Sequence, residues 1–331
     1  PNPYPDNLHI VCKALVTKIL FNGLTAIGVE FIVNDISYTV YANREVIVSA
    51  GAINTPQLLM LSGVGPKQHL NSLNIPVVFD LPVGQHYRNH LNTPIITQLK
   101  PQYMYLANKV PQLNIDELKQ LYYEHGGPLA NIVTLVLYLN TRLNRDKEWP
   151  NVMLEFGHIS SVIYITVGLV RFKSYGSIRL QSTDPLLPPL IDPNWYSQPI
   201  DRENMLDAVT MVFEMLEQST LAQYLQPLPS FLSIGCPDCP DKQYLYECVE
   251  GLKCYIKYNT NSGDHPSGTC RMGAIERPDV VVDPQMRVKG ANNLRVCDAS
   301  VFPVIPNANT ASAAILTGYK CAQIIISDYN L

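Results

Sequence analysis

Ser49-Ala-Gly-Ala-Ile-Asn-Thr-Pro-Gln-Leu-Leu-Met-Leu-Ser-Gly-Val-Gly65 follows directly on the apolar run Val46-Ile-Val48. Glu45–Ala50 reads as a short buried strand. Gly51 supplies a turn where the absence of Cβ widens the backbone choices. Thr55 is a plausible N-cap for a following helix, and Pro56 suits a first helical position because its missing N–H is not needed there. Leu58, Leu59, Met60 and Leu61 give that helix its apolar faces, and Gly63 stops it. A strand, a glycine turn, a helix and a glycine-rich exit make up the elementary unit of an α/β layer.

Upstream of this unit the chain reads as strands. Leu8–Phe21 is mostly apolar and β-branched, and Ile27–Val33 and Ser37–Ala42 flank the turn pair Asn34-Asp35 as a hairpin. Downstream, Pro76–Gly84 is extended and leads to a polar turn at Gln85–His90. Asp116–Glu124 is a helix candidate ended by Gly126-Gly127-Pro128, and Asn151–Phe156 and Ser177–Leu180 are strand candidates. Asp201–Gln218 is the clearest helix: Asp201 can cap it, and Met205, Val209, Val212 and Leu216 share one face. Tyr244–Ile256 is amphipathic, Leu294–Asp298 is a short strand, and Ala311–Ser327 is a terminal helix after the loop Pro303–Thr310.

The chain has 331 residues, 47% hydrophobic and 16% charged, enough for one large or two ordinary domains. Its 24 basic and 28 acidic residues leave a formal charge of −4, with no basic run, which points away from nucleic acid and from an anionic membrane surface. The longest apolar stretch, near Ser161–Val170, is too short to span a bilayer. Cys236, Cys239, Cys248 and Cys254 cluster among 8 cysteines. Cys236-Pro-Asp-Cys239 could open a zinc site, a local disulfide could form in an oxidising compartment, or the thiols could stay reduced.

Three segments together resemble the glucose-methanol-choline (GMC) oxidoreductase family. Ser49–Gly65 is similar to the family's second signature. His265-Pro-Ser-Gly-Thr-Cys-Arg-Met-Gly273 resembles the segment that holds its active-site histidine. Leu294-Arg-Val-Cys-Asp-Ala-Ser-Val-Phe-Pro303, continued by Ile305-Pro-Asn-Ala-Asn-Thr310, resembles the stretch that lines the flavin. Leu81-Pro-Val-Gly-Gln before Asn89-His90, Lys173–Leu180, Asp184-Pro and Pro189–Trp195 are weaker matches that fill the gaps, and the flavour is that of the glucose dehydrogenase-like branch.

The resemblance implies an α/β plus α+β fold: an incomplete FAD-binding, Rossmann-like domain with an inserted antiparallel-sheet substrate domain. The expected division is 1–92 and 280–331 in the FAD-binding domain and 93–279 in the substrate domain. It implies oxidation of an alcohol or sugar CH–OH group, with FAD as cofactor and a quinone or oxygen as electron acceptor. No nucleic acid, metal or membrane span is expected, and the implied location is extracellular. His265 matches the family's base, a role that suits an imidazole near neutral pKa. Asp298 and Ala299 match backbone contacts to the ribityl and phosphate region, Asn309 and Thr310 the isoalloxazine edge, and Val16, Ala50 and Gly51 the adenine end. The family's paired cysteines imply Cys236–Cys248, with Cys239 competing.

Two departures stand out. A dinucleotide site uses Gly-x-Gly-x-x-Gly between a strand and a helix, and the only Gly-x-Gly here, Gly63-Val-Gly65, follows a helix and lacks the third glycine. The chain is therefore expected to be a C-terminal portion without that motif. The family's second catalytic residue, Asn or His, falls on Ala311 when counted back from Lys320; another register puts Asn309 in the role.

Overall fold

The computed structural model describes residues 7–109, 115–124, 135–159, 161–228 and 235–331. The expected helix stop at Gly126-Gly127-Pro128 lies outside them. The chain forms two compact units. One comprises residues up to Asn89, then Tyr175–Trp195 and His265–Leu331; the other comprises His90–Ser174 and Tyr196–Asp264. The boundary near residue 90 is three residues from the expected one. Residues 175–195 and 265–279 belong to the first unit rather than the second, because their backbone bonds are made there: Gly176 pairs with Tyr87 and Ser267 exchanges bonds with Arg88.

The first unit opens with an antiparallel meander, β1 (Leu15–Asn22), β2 (Thr25–Val33) and β3 (Ile36–Tyr41). Asn34 and Asp35 take φ of 50° and 63°, the paired left-handed conformation that a tight hairpin turn requires and that Asn and Asp tolerate. β4 (Val46–Val48) then leads into the helix α1 (Gly51–Leu61). β5 (Val64–Gly65), α2 (Lys67–Ser72), β6 (Phe79–Asp80) and β7 (Gln85–Tyr87) complete this stretch.

The second unit is an antiparallel sheet. Its strands are β8 (Leu91–Leu99), β9 (Leu135–Leu139), β10 (Val152–Ile159) and β11 (Val162–Leu169); α3 (Ile115–Glu124) lies between β8 and β9 in sequence. The apolar run near Ser161–Val170 is thus β11, flanked by β8 and β10. The chain returns to the first unit for β12 (Gly176–Arg179) and β13 (Leu190–Asp192), then re-enters the second for α4 (Pro199–Gln218), β14 (Leu225–Pro227), α5 (Val249–Asn259) and β15 (Asn261–Ser262). The sheet order is β14-β8-β11-β10-β9, with β15 also on β8. Met205, Val209, Val212 and Leu216 of α4 are buried, as their spacing predicts. Asp201 does not cap α4; it is the third residue of the helix, and its buried carboxylate accepts from the backbone of Lys173 and Ser174 and from the Ser174 hydroxyl.

The first unit closes with β16 (Leu294–Val296), parallel to β4, and the terminal helix α6 (Ala311–Tyr329). The buried Arg295 guanidinium holds both carboxylate oxygens of Glu45 at 2.6 and 2.9 Å and Asp328 at 2.5 Å. Tyr329 donates its hydroxyl to Glu45 at 2.8 Å. Burial pushes the Glu45 pKa up, but bonds from Arg295 and Tyr329 outweigh it and hold the group below its ordinary value. This network ties the last turn of α6 to the parallel strand pair.

The start of α1 differs from the sequence expectation for a physical reason. The helix begins at Gly51 (φ 83°), not at Pro56, so Pro56 sits in its interior. A proline there leaves the carbonyl four residues earlier without its N–H partner. That carbonyl belongs to Ala52, and the buried Thr269 hydroxyl donates to it at 2.8 Å. A side chain 217 positions away repairs the helix at the point where its own sequence breaks it.

The clustered cysteines pair as Cys236–Cys254 and Cys239–Cys248, correcting the expected Cys236–Cys248 and using the thiols a zinc site would need. A third disulfide, Cys297–Cys321, links the end of β16 to α6. Cys270 is free and buried, and burial pushes its thiol pKa well up.

Replacing Thr269 by valine leaves the Ala52 carbonyl buried without a partner. A loss of about 1–3 kcal/mol in unfolding free energy is expected, with T269S near wild type, as read from denaturant midpoints. Non-reducing peptide mapping should recover the three disulfides named above. Cys270 should take up an alkylating reagent only after unfolding, whereas the exposed Cys12 reacts in the native state.

Candidate active site

The three motif segments meet at the N-terminus of α1. Asp298 Oδ2 accepts from Gly51 N at 2.9 Å and from the Thr55 hydroxyl at 2.6 Å, and Oδ1 accepts from Ser300 N at 2.7 Å. The Thr55 hydroxyl in turn accepts from Ala50 N at 3.0 Å. One buried carboxylate thus caps both α1 and the short 3-10 turn Ala299–Val301, where the sequence alone suggests Thr55 as the cap. Thr55 is a cap after all, but as a relay from within the helix.

The His265 segment runs alongside that turn. Gly268 N donates to Ala299 O at 3.1 Å, Cys270 N to Ser300 O at 2.8 Å, and Met272 N to Val301 O at 2.9 Å. Gly268 has φ of 80°, and a Cβ there would lie 2.8 Å from His86 O, so the segment needs this glycine to pass. His265 is partly buried, and its backbone N–H donates to Asn89 Oδ1 at 2.8 Å. Asn309 is exposed and Thr310 partly buried, on the loop just before α6. Ala311 is the first residue of α6 and is exposed. His265 and Asn309–Thr310 therefore belong to the same unit, at the outer ends of two segments laced together by three backbone bonds.

Val16 and Ala50 line a cavity of about 820 Å³ in the first unit, together with Gly28, Ser49, Ile53 and Gln57. Its wall is mostly apolar, β1 is an edge strand of its sheet, and Ile47 on β4 is 46% exposed. A flat aromatic group fits such a wall: it is buried between aliphatic side chains while an edge strand offers backbone N–H and C=O groups to its rim. Gly51 and Asp298 stand at the mouth of α1 rather than in the wall. Of the residues expected at the cofactor, Val16 and Ala50 share the cavity, while Gly51, Asp298 and Ala299 share the hydrogen-bonded cluster.

Sequence reasoning missed Thr269, Asn89 and the Glu45–Arg295 pair. A proline inside a helix announces an orphaned carbonyl, but nothing local names Thr269, 217 positions away, as its donor. Asn89 and Arg295 carry no comparable local signal, since their partners lie 176 and 250 positions away. Among the described residues, no cluster of three or more His, Cys, Asp or Glu is arranged to hold a metal, and no helix is long and apolar enough to cross a membrane.

Comparison with known proteins agrees with this architecture. Residues 1–92 match the N-terminal model of the GMC oxidoreductases and residues 173–318 the C-terminal model. Mitochondrial choline dehydrogenase from Homo sapiens is 34% identical over 334 residues, covering 96% of this chain and 54% of the relative. Oxygen-dependent choline dehydrogenase from Brucella anthropi is 32% identical, covering 97% and 58%. The chain thus spans little more than half the length of these curated relatives. A formate oxidase variant from Aspergillus oryzae, studied for its FAD modification, superposes with a TM-score of 0.81 at 23% identity, over 96% of this chain and 60% of the oxidase. An FAD-dependent oxidoreductase from Chaetomium thermophilum superposes at 0.80 and 22%, over 98% and 62%. These relatives correct two expectations: the similarity runs to choline dehydrogenases rather than to a glucose dehydrogenase branch, and the chain includes sequence matching the family's N-terminal model, although no Gly-x-Gly-x-x-Gly occurs in its 331 residues. The two models, one at each end of the chain, and the Rossmann-like fold together show that this protein belongs to the GMC oxidoreductase family.

Proposed function

We propose that the natural product oxidises a small alcohol with FAD as cofactor, and that His265 is the base. The observation that carries this reading is the convergence of the three motif segments on one hydrogen-bonded cluster, centred on Asp298, in one unit. When bound, FAD would supply the acceptor for the hydride that leaves the carbinol carbon. His265 takes the hydroxyl proton, which must leave as the hydride does. Val16 and Ala50, which line the apolar cavity, would hold the adenine end, and Ala299, Asn309 and Thr310 would support the ribityl and ring end. Asp298 acts through its carboxylate on the protein itself, holding α1 and the Ala299–Val301 turn in place.

The choline dehydrogenase relatives favour a small primary alcohol over a sugar. The electron acceptor is a quinone or oxygen. The three disulfides favour an oxidising compartment, so the proposed location is extracellular.

A second reading, a GMC-derived protein retained for binding rather than turnover, is favoured by Ala311. Alanine offers no side-chain donor at the position that Asn or His takes in the family. Loss of one oriented donor at a reacting oxygen costs about 3–4 kcal/mol, roughly a hundred- to a thousandfold in rate.

In the full-length, flavin-loaded product, H265Q should lower kcat by about two orders of magnitude or more, within the range for a positioned base, while flavin absorbance is kept. An unchanged kcat would remove His265 from the chemistry. Ala311 is exposed at the start of α6, so a larger side chain can be placed there. A311N should raise kcat by roughly tenfold or more if this position faces the reacting oxygen; dye reduction with choline and with ethanol measures it. A colourless product that reduces no dye in either form would favour the binding reading.

A further inference from the structure

We propose that Asn89 is a positioning residue for His265; the proposal rests on the reading of His265 as the base. His265 and Pro266 lie outside the helices and strands of the fold. The His265 N–H is held there by a side chain, Asn89 Oδ1, at 2.8 Å. Asn89 is only 4% exposed, and its Nδ2 donates to the Tyr87 hydroxyl at 3.0 Å, so the amide is tied at both ends. Next to it, Arg88 and Ser267 exchange backbone bonds of 3.0 and 2.9 Å. Tyr87 is itself buried and ends β7, which pairs with β12. The His265 backbone is therefore referenced to the end of a sheet strand by a buried amide, beside the Arg88–Ser267 backbone pair.

The chemistry explains why the residue is an amide. Its oxygen must accept from a backbone N–H, and its other end must find a partner in the phenol. Leucine, of similar size, can do neither. Aspartate keeps the acceptor for His265 N and can accept from the Tyr87 hydroxyl, so it should rescue. A shift of about 1 Å in a catalytic group costs on the order of a hundredfold in rate. Loss of the tether acts on the chemical step, not on substrate capture.

The test compares N89L, N89D and H265Q in the full-length, flavin-loaded product, with choline as probe alcohol and a dye as acceptor. N89L should lower kcat by roughly ten- to a hundredfold with KM within about threefold of wild type and unchanged flavin content, whereas N89D should stay within about threefold in kcat. If N89L fails to fold, N89S, too short to reach His265 N, replaces it with the same expectation. Independently of turnover, histidine-selective ¹³C labelling gives the ring signal of His265, assigned by its absence in H265Q. That signal should move or broaden in N89L and hold its position in N89D. An N89L enzyme with wild-type kcat beside an inactive H265Q overturns the positioning role. So does an equal loss in N89L and N89D that follows a fall in melting temperature. An active H265Q, with the ring signal still moved by N89L, would leave the tether standing and overturn the role of His265 as base.

Discussion

The Asp298 carboxylate is the interaction on which the first unit depends. A helix that starts at Gly51 has orphan N–H groups and no side chain at Ala50 to satisfy them. Asp298 supplies the acceptor from 247 residues away, and at the same time caps the turn that follows it. Its third bond, from the Thr55 hydroxyl, secures the relay to Ala50 N. Removing the carboxylate would strand buried donors on two elements at once, a cost that no local substitution at α1 could repair. Thr269 has the complementary role within the same helix, where Pro56 has taken a donor from Ala52. Each of the three motif segments thus satisfies a need created in another.

This interdependence explains what the sequence could and could not disclose. The meander, β4, β16, α6 and the buried face of α4 were legible because their periodicity is local. The turn at Asn34-Asp35 was legible because the residue types suit φ above zero. The start of α1 was misread because Thr55 and Pro56 make a good local cap, and the competing cap is contributed by a residue with no sequence proximity. Asp201 was misread in the same way: a good cap by type, it is the third residue of α4 and is drawn to the backbone of Lys173 and Ser174. The disulfide pairing failed for a related reason, since four cysteines within 18 positions permit three connectivities and spacing does not choose among them. The candidate site was legible as motifs, but the residues that hold those motifs in register, Asn89 and Thr269, were not.

Electrostatics in α6 follow a second logic. An acidic residue in the last turn of a helix opposes the macrodipole. Asp328 sits there, yet it is paired with both Arg287 and Arg295, and its pKa is held below the ordinary carboxylate value chiefly by the bond from Arg287. The buried Arg295, shared between Glu45 and Asp328, converts that unfavourable position into a latch between the helix end and the strand pair. Together with Cys297–Cys321, it fixes α6 at its middle and its end.

The same carboxylate also occupies the end of α1. The N-terminus of a helix ordinarily attracts phosphate through its free N–H groups and its positive dipole end. At α1 the Gly51 N–H is already taken by an oxygen of the Asp298 side chain. The cavity beside it is walled by Val16, Gly28, Ala50 and Ile53, side chains that favour a flat uncharged group over a phosphate. In the first unit an apolar wall therefore stands beside a helix end whose first N–H is already satisfied by the protein itself.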